Sequence, residues 1–396
     1  MGAQKWLSGL LKILPACKEC DMASEITVRP ASASDMKKFI MFPWSIYRGK
    51  KRYNNWVPPL LMDEKALYNP KKNPYWEHAE AQHFLAYRDG EVVGRMSAVI
   101  DHEFVKYWNT KTGFFGFFES EDDPEIAKAL SREVESWLKN KGMERSIGPM
   151  NPSTNHILGL LIDDFDNPPV VQMAYTPEYY PPLIEAAGYA KEKDLWSYFM
   201  DAGGDLSDKT RRVAELARKR SKVDVRPVEM KEFSNVIEEM RGIYNDAWQD
   251  NWGFVPWTKE EFEHLGKDMK LLVFPELVLM AYVDGNPVGF ILPIPDANKI
   301  MIKMNGRLLP TGIFKLLMGK GKLDTVRIAA FGIRKKYQKM GIDALLLWEV
   351  YERGTKMGVN KGDFSWILED NYPLRNFLEG WGVRHYKTHR IYGKSL

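Results

Sequence analysis

The sequence repeats itself once, at long range and in a fixed order. Val28-Arg29-Pro30 returns as Val225-Arg226-Pro227, 197 positions later. Ala86-Tyr87-Arg88-Asp89-Gly90-Glu91-Val92-Val93-Gly94 returns as Ala281-Tyr282-Val283-Asp284-Gly285-Asn286-Pro287-Val288-Gly289, 195 later. Glu185-Ala186-Ala187-Gly188 through Tyr198 returns as Glu379-Gly380-Trp381-Gly382 through Tyr392, 194 later. V-R-P and D-G turns are common singly. Three matches in one order at nearly one offset mark a duplicated unit. The copies are read as 24–205 and 222–396, each long enough to bury its own core. Residues 206–221 between them read as a basic linker helix. Val213, Leu216 and Ala217 share one face there, among Arg211, Arg212, Arg218, Lys219 and Arg220.

Composition narrows the function. With 56 basic and 53 acidic residues the net charge is only +3, too weak a basic excess to point to nucleic acid. The 13% of aromatic residues exclude disorder as the main state. Cys17 and Cys20 read C-K-E-C with no second pair, which makes neither a disulfide framework nor a structural zinc site. The seven histidines show no H-E-x-x-H spacing, and no metal is expected.

Residues 1–23 include KWLSGLLKILPAC, in which Trp6, Leu7, Leu10, Leu11 and Leu14 could share a helical face. It is too short to span a bilayer. Leu14-Pro15-Ala16-Cys17 approaches a lipobox, but Lys12 inside the apolar stretch argues against export. The segment reads as a leader outside the folded copies, with a short interfacial helix as the sharper alternative. The expected location is cytoplasmic, with peripheral membrane contact as the alternative.

Within the second copy the pattern reads as strand (DVRPV), helix (Met230 to Trp248), helix from Thr258, strand (Leu277 to Tyr282), D-G turn, strand (Pro287 to Pro293), then a loop-rich insertion over 296–322. Thr258 with Glu261 three residues later makes a capping box. A strand (Thr325 to Ile333), a helix (Gly341 to Met357), a strand (Phe364 to Leu368) and a helix (Tyr372 to Trp381) follow, and strand-like segments at Val383–Tyr386 and His389–Tyr392 close it. That is an α/β fold: a mixed, mostly antiparallel sheet flanked by helices. The first copy follows the same plan. It adds a long insertion from Gly148 to Pro181, rich in Asn, Pro, Tyr and Asp.

The chemistry concentrates in Phe331-Gly332-Ile333-Arg334-Lys335-Lys336-Tyr337-Gln338-Lys339-Met340-Gly341-Ile342-Asp343. A strand ends, a basic loop turns, and a helix begins at a glycine. Backbone N–H groups at a helix N-terminus, with the dipole behind them, form an anion site. Gly341 lets the backbone approach a phosphate closely.

This segment resembles motif A (Q/R-x-x-G-x-G/A) of the GNAT acyl-CoA N-acyltransferase superfamily. Gln338-x-x-Gly341-x-Asp343 matches two anchors and departs at the third. The D-G hairpin before it, Trp366-Ile367-Leu368-Glu369-Asp370-Asn371 after it, and the closing Glu379 to Tyr392 extend the resemblance over most of 222–396, and more weakly over 24–205. It implies two GNAT-like domains, the second binding acetyl-CoA or a longer acyl-CoA in a V-shaped gap. The cofactor-binding residues it implies are Phe331, Ile333, Arg334, Lys336, Gln338, Lys339, Met340, Gly341, Ile342 and Asp343. It implies acyl transfer to an amine acceptor, small or lipid-like, with Glu369, Asp370, Asn371 and Tyr372 as the candidate catalytic group. Acceptor binding is expected from Asn251 and Trp252 in one copy and Asn151 and Asn155 in the other.

Two departures bear on mechanism. The family's usual tyrosine acid would fall near position 377, where Phe377 cannot donate a proton. Where the first copy should carry the anion loop it reads Glu119-Ser120-Glu121-Asp122-Asp123-Pro124-Glu125, which would repel a pyrophosphate. The leading expectation is an acyl-CoA-dependent N-acyltransferase. The alternatives are a long-chain enzyme acting on a lipid-like amine, and a non-enzymatic acyl-CoA sensor.

Overall fold

A computed structural model describes residues 25–202, 223–270 and 272–396, with Arg212, Glu215, Leu216 and Arg218 of the intervening segment. The expected leader and most of the expected linker helix lie outside the described residues. The four described linker residues are helical, and Arg218 pairs with Glu349 at 3.3 Å.

Asp-Gly turns set the architecture. Asp89 and Gly90 (φ 52° and 83°) join strands β2 (Ala79–Arg88) and β3 (Glu91–Asp101). Asp284 and Gly285 (φ 50° and 79°) join β11 (Leu279–Val283) and β12 (Asn286–Pro295). Positive φ at both central residues matches the twist of a two-residue hairpin. Both hairpins shift register at the same place, between Ala86 and Tyr87 and between Ala281 and Tyr282. The V-R-P strands β1 (Thr27–Pro30) and β10 (Val223–Pro227) lie alongside in equal register, Val28 opposite Ala86 and Val225 opposite Ala281.

The remaining strands are β4 (Thr112–Ser120), β5 (Arg145–Gly148), β6 (Met150–Asn151), β7 (Ile157–Leu158), β8 (Leu160–Leu161), β9 (Ala190–Asp201), β13 (Thr325–Ile333), β14 (Lys361–Leu368) and β15 (Arg384–Ser395). One continuous sheet runs β1-β2-β3-β4-β5-β15-β9-β14-β13-β12-β11-β10, with β8 on β15. The closing strands are exchanged: β9 of the first half pairs with β14 of the second, and β15 of the second pairs with β5 of the first. β9 and β15 pair antiparallel at the centre. The strand-like segments expected at Val383–Tyr386 and His389–Tyr392 are one strand, because β9 gives them a continuous partner.

Helix Ile342–Lys356 covers one face of the second half, burying Leu345, Leu346 and Leu347. Its counterpart Pro124–Asn140 buries Ile126, Leu130 and Val134 in the first half. Helices Phe233–Ala247 and Lys259–Met269 cover the other face of the second half. The Thr258 capping box is present, with both reciprocal bonds. The stretch expected to be loop-rich, 296–322, carries two helices, Asn298–Met301 and Gly312–Lys320.

Candidate functional site

β13 and β14 run parallel and pair from Thr325–Lys361 to Ile328–Phe364. Beyond that the arms part. β13 carries a bulge at Ala329, where its pairing with β12 slips between Leu292–Ala330 and Pro293–Ile328. A bulge leaves one residue unpaired and turns the strand. β14 instead follows β9, with Ile367 opposite Trp196 and Leu368 opposite Leu195. The result is a V open toward Ile333 and Leu368.

At the end of the β13 arm lies the basic loop. Gly341 (φ 76°) is the N-cap of helix Ile342–Lys356, a backbone state only glycine holds without strain. The first N–H groups of that helix have no acceptor inside it and point outward. Asp343 turns its carboxylate back onto Ala344 N–H at 2.9 Å, so it caps the same helix end. The four cations of the loop divide. Arg334 donates inward to Pro287 O at 3.0 Å and Gly242 O at 3.4 Å. Lys335 donates its N–H to Asp246 Oδ2 at 2.9 Å and pairs its ammonium with Asp250. Lys336 and Lys339 stay exposed beside Gln338 and Met340, while Gln338 Nε2 donates to Ile333 O. Phe331 and Ile333 pack their side chains toward the core under the long helix.

The loop after helix Phe233–Ala247 spans the mouth of the V. Trp248 lies against Gly332 of the β13 arm, where any side chain would collide with its ring. Trp252 packs in one apolar cluster with Trp366 and Leu368 of the other arm. First-half residues hold this loop. Asn155 Nδ2 donates to Val255 O at 3.2 Å, Trp108 Nε1 to Phe254 O at 2.9 Å and Tyr107 Oη to Gln249 O at 2.9 Å. Asn251 N–H closes a turn on Trp248 O. Asn155, Asn251 and Trp252 are therefore brought into one region.

Asn151 sits in the first half's own V. There β4 and β5 pair from Thr112–Arg145 to Phe114–Ile147 and then part. Strand β6 fills the gap: Gly116 lies against the Met150 carbonyl, and Asn151 Oδ1 accepts from Phe117 N–H at 2.5 Å. In the acidic stretch there Glu121, Asp122 and Glu125 are exposed, but Glu119 turns inward. Glu119 ends β4 in the interior, accepting from Tyr180 Oη at 2.7 Å and Tyr47 Oη at 2.9 Å, with Arg95 3.7 Å away. Burial nevertheless pushes its pKa up. Asp123 caps helix Pro124–Asn140 and pairs with Arg88.

The residues after β14 are already engaged. Glu369 accepts from Lys191 Nζ at 2.6 Å and Asp194 N–H at 3.0 Å. Asp370 pairs with Lys193 at 2.8 Å, and that ammonium holds its pKa low. Asn371 is the N-cap of helix Tyr372–Gly380, accepting from Leu374 N–H. Tyr372 is exposed beside Arg375. Phe377 packs on Trp381 with ring centroids 5.5 Å apart.

Two polar groupings escaped sequence reasoning. At the apex of the V, Arg327 donates to Ser365 Oγ (3.1 Å) and Ser365 O (3.0 Å). Ser365 Oγ donates in turn to Asp363, which also accepts from Tyr386 Oη at 2.6 Å. Burial pushes Asp363 up and lowers Arg327 to about 10. The available signal was a charge inside each of two apolar strands, TVRIAAFGI and KGDFSWIL. On the seam between the halves, His78 stands 3.3 Å from Asp101 and 3.2 Å from Glu261. Burial opposes its charge, but the two carboxylates outweigh it and raise its pKa to about 10. These three lie far apart in sequence and had no signal.

A narrow apolar pocket opens between helices Phe233–Ala247 and Lys259–Met269, with a volume of about 60 Å³. Met240, Phe262, Leu265, Val273, Val278 and Leu292 line it, and Lys270 is its one charged neighbour. Leu292 is the residue paired with Ala330, one position past the bulge in β13.

Comparison with known proteins agrees with this architecture. Residues 237–382 match the acetyltransferase (GNAT) family. The chain is 36% identical over 385 residues to the bacterial ceramide synthase of Caulobacter vibrioides (strain NA1000 / CB15N), covering 94% of this chain and 98% of that one. It is 35% identical over 369 residues to protein YghO of Escherichia coli (strain K12), covering 92% and 93%. In fold it is similar to a tandem GNAT protein from the clavulanic acid biosynthesis pathway, with a TM-score of 0.52 at 10% identity over 94% of this chain and 98% of that one. The repeat in the sequence, the two splayed strand pairs and these relatives lead to one assignment: the chain belongs to the GNAT acyltransferase family, in its tandem form.

Proposed function

We propose that the protein transfers a long acyl chain from acyl-CoA to the amine of a lipid-like acceptor. The apolar pocket carries this reading. A pocket several times the roughly 10–15 Å³ that a water needs, lined by apolar side chains with Lys270 as its charged residue, suits hydrocarbon better than water. It ends one strand away from the V, at Leu292 opposite Ala330. The near full-length relative named a bacterial ceramide synthase supports the same class of acceptor.

In this reading acyl-CoA binds the second V only. Gly341 and the first turn of the long helix take the pyrophosphate, and Lys336 and Lys339 add charge. Unpaired N–H groups of the β13 arm polarise the thioester carbonyl. The amine attacks that carbon, its nitrogen–carbon bond forms, and CoA leaves as the thiolate. Glu369 and Asp370 are the carboxylates offered as base for the ammonium proton. Phe377 supplies no acid, so the thiolate takes its proton from elsewhere or leaves unassisted. The first V, filled by Met150 and Asn151, binds no cofactor, and its half shapes the acceptor side through Asn155.

The test is turnover. Purified protein receives a long-chain acyl-CoA with a long-chain amino alcohol, or with a short amine. Free thiol and N-acyl product are followed by absorbance and mass spectrometry. Product with the long amine supports the reading. Binding of acyl-CoA with no thiol release from either amine would make the protein a sensor instead.

A further inference from the structure

The segment joining β12 to β13 has an unusual charge and an inverted helix. From 297 to 323 it carries six basic residues (Lys299, Lys303, Arg307, Lys315, Lys320 and Lys322) and no acidic one. A helix on a globular protein turns its large apolar side chains inward. Gly312–Lys320 does the reverse. Its small residues face the body: Gly312 is buried near Met304, and a Cβ at Gly319 would meet Ile300 at 2.7 Å. Phe314, Leu317 and Met318, spaced i, i+3, i+4 and so on one face, are 63%, 58% and 72% exposed. Leu309 just before is 69% exposed.

We infer that this face docks on an anionic membrane surface. Its chemistry is that of an interfacial helix: bulky apolar residues to enter the acyl boundary and cations to meet the headgroups. Lys303, Arg307, Lys315 and Lys322 are exposed around the apolar residues. No described helix is long and apolar enough to cross a membrane, so the contact is peripheral. The element is anchored rather than trailing. Lys315 Nζ donates to Lys303 O at 3.3 Å, and Lys320 Nζ donates to Val273 O at 2.8 Å. Val273 also lines the hydrocarbon pocket. The helix that carries the docking face is thus tied at its C-terminal end to a residue of the pocket wall.

The test is flotation of the full chain with vesicles, read without turnover and so independent of the substrate assignment. Vesicles of phosphatidylcholine with about 30% phosphatidylglycerol should bind it about tenfold or more tighter than phosphatidylcholine alone. Raising the salt well above about 0.15 M should weaken binding. Phe314→Ser/Leu317→Ser/Met318→Ser should lose flotation. Lys303→Glu/Lys315→Glu should weaken it severalfold while the thermal midpoint stays within a few degrees of the parent. Binding by the triple variant equal to the parent's would overturn the inference and place the contact elsewhere in the chain. So would no flotation of the parent, or a dimer that the triple variant dissociates while neither protein floats.

Discussion

The Tyr198 hydroxyl of the first half donates to Glu379 of the second at 2.8 Å, and the relation is mirrored by Tyr392 and Glu185 at 3.2 Å. Tyr198 and Tyr392 are equivalent in the repeat, as are Glu185 and Glu379. Each closing strand thus carries its tyrosine into the other half. Removing 24–205 would take away β9 and leave β14 with an open edge, which invites aggregation. A fragment of 222–396 should be insoluble or unfolded alone and recover on co-expression with 24–205. Size-exclusion chromatography and circular dichroism would show this. An isolated fragment that folds and transfers acyl groups at the full-chain rate would contradict it.

Tyr198→Phe probes the exchange more gently. The ring remains in the core while two bonds are lost, the one donated to the exposed Glu379 and the one accepted from Arg375 Nε at 3.2 Å, and both charged partners keep access to water. The cost should be about 1 kcal/mol, read from the urea midpoint at constant slope.

Gly341→Glu should abolish acyl-CoA binding in calorimetry. It places a β-carbon at φ 76° and a negative charge at the anion site. Lys336→Glu and Lys339→Glu should weaken CoA more than dephospho-CoA if these exposed ammonium groups reach the ribose phosphate. Equal losses for both ligands would show that they do not.

The duplication, both hairpins and the basic loop were legible because their signals are local: D-G turns, V-R-P strands, a glycine where a helix must start. The exchange of β9 and β15 was not, since either pairing satisfies the same alternation along each strand. Nor was the filling of the first V, which depends on a two-residue strand of Met150 and Asn151 folding back across β4. Nor was the inward turn of Glu119, which in sequence is only one of five carboxylates between 119 and 125. Its burial needed Tyr47 from one helix and Tyr180 from another. Arg334, expected among the cofactor-binding residues, donates inward to Pro287 O, and Lys335 pairs with Asp250, contacts for which the loop's own sequence carries no signal.

Asn371 and Glu369 separate a positioning role from a catalytic one. Asn371→Ala removes a helix cap and should cost about 1 kcal/mol of stability, with kcat at saturating substrate little changed. Glu369→Gln keeps the shape but removes the charge that Lys191 meets. If Glu369 is the base, kcat should fall by about 100-fold or more and the loss should lessen at high pH, where the amine is already deprotonated. If it only ties β14 to β9, the melting temperature should fall and the pH profile should keep its form.

Leu265→Trp should shift chain-length preference. The half-buried Leu265 lines the pocket, and an indole there would fill much of a cavity of about 60 Å³. Turnover with long-chain substrates should fall while short ones are spared. Parallel losses at every length would mean that no chain enters there.

His78 gives the fold a pH dependence whose sign follows from its partners. In the folded chain Asp101 and Glu261 raise its pKa from the ordinary 6.5 to about 10, against the opposing effect of burial. Below about pH 6.5 the imidazole is protonated in both states, and the full stabilisation is present. As pH rises from there toward 10 the unfolded chain gives up the proton while the folded chain holds it, so unfolding releases a proton and stability falls. Above about pH 10 the contribution is gone. Chemical denaturation at pH 6, 8 and 10 should therefore show a declining free energy. In His78→Phe the two carboxylates face an uncharged ring, so the variant should be weaker at pH 6 and should lose much less between pH 6 and 10. A variant whose decline parallels the parent's would locate the titrating group elsewhere.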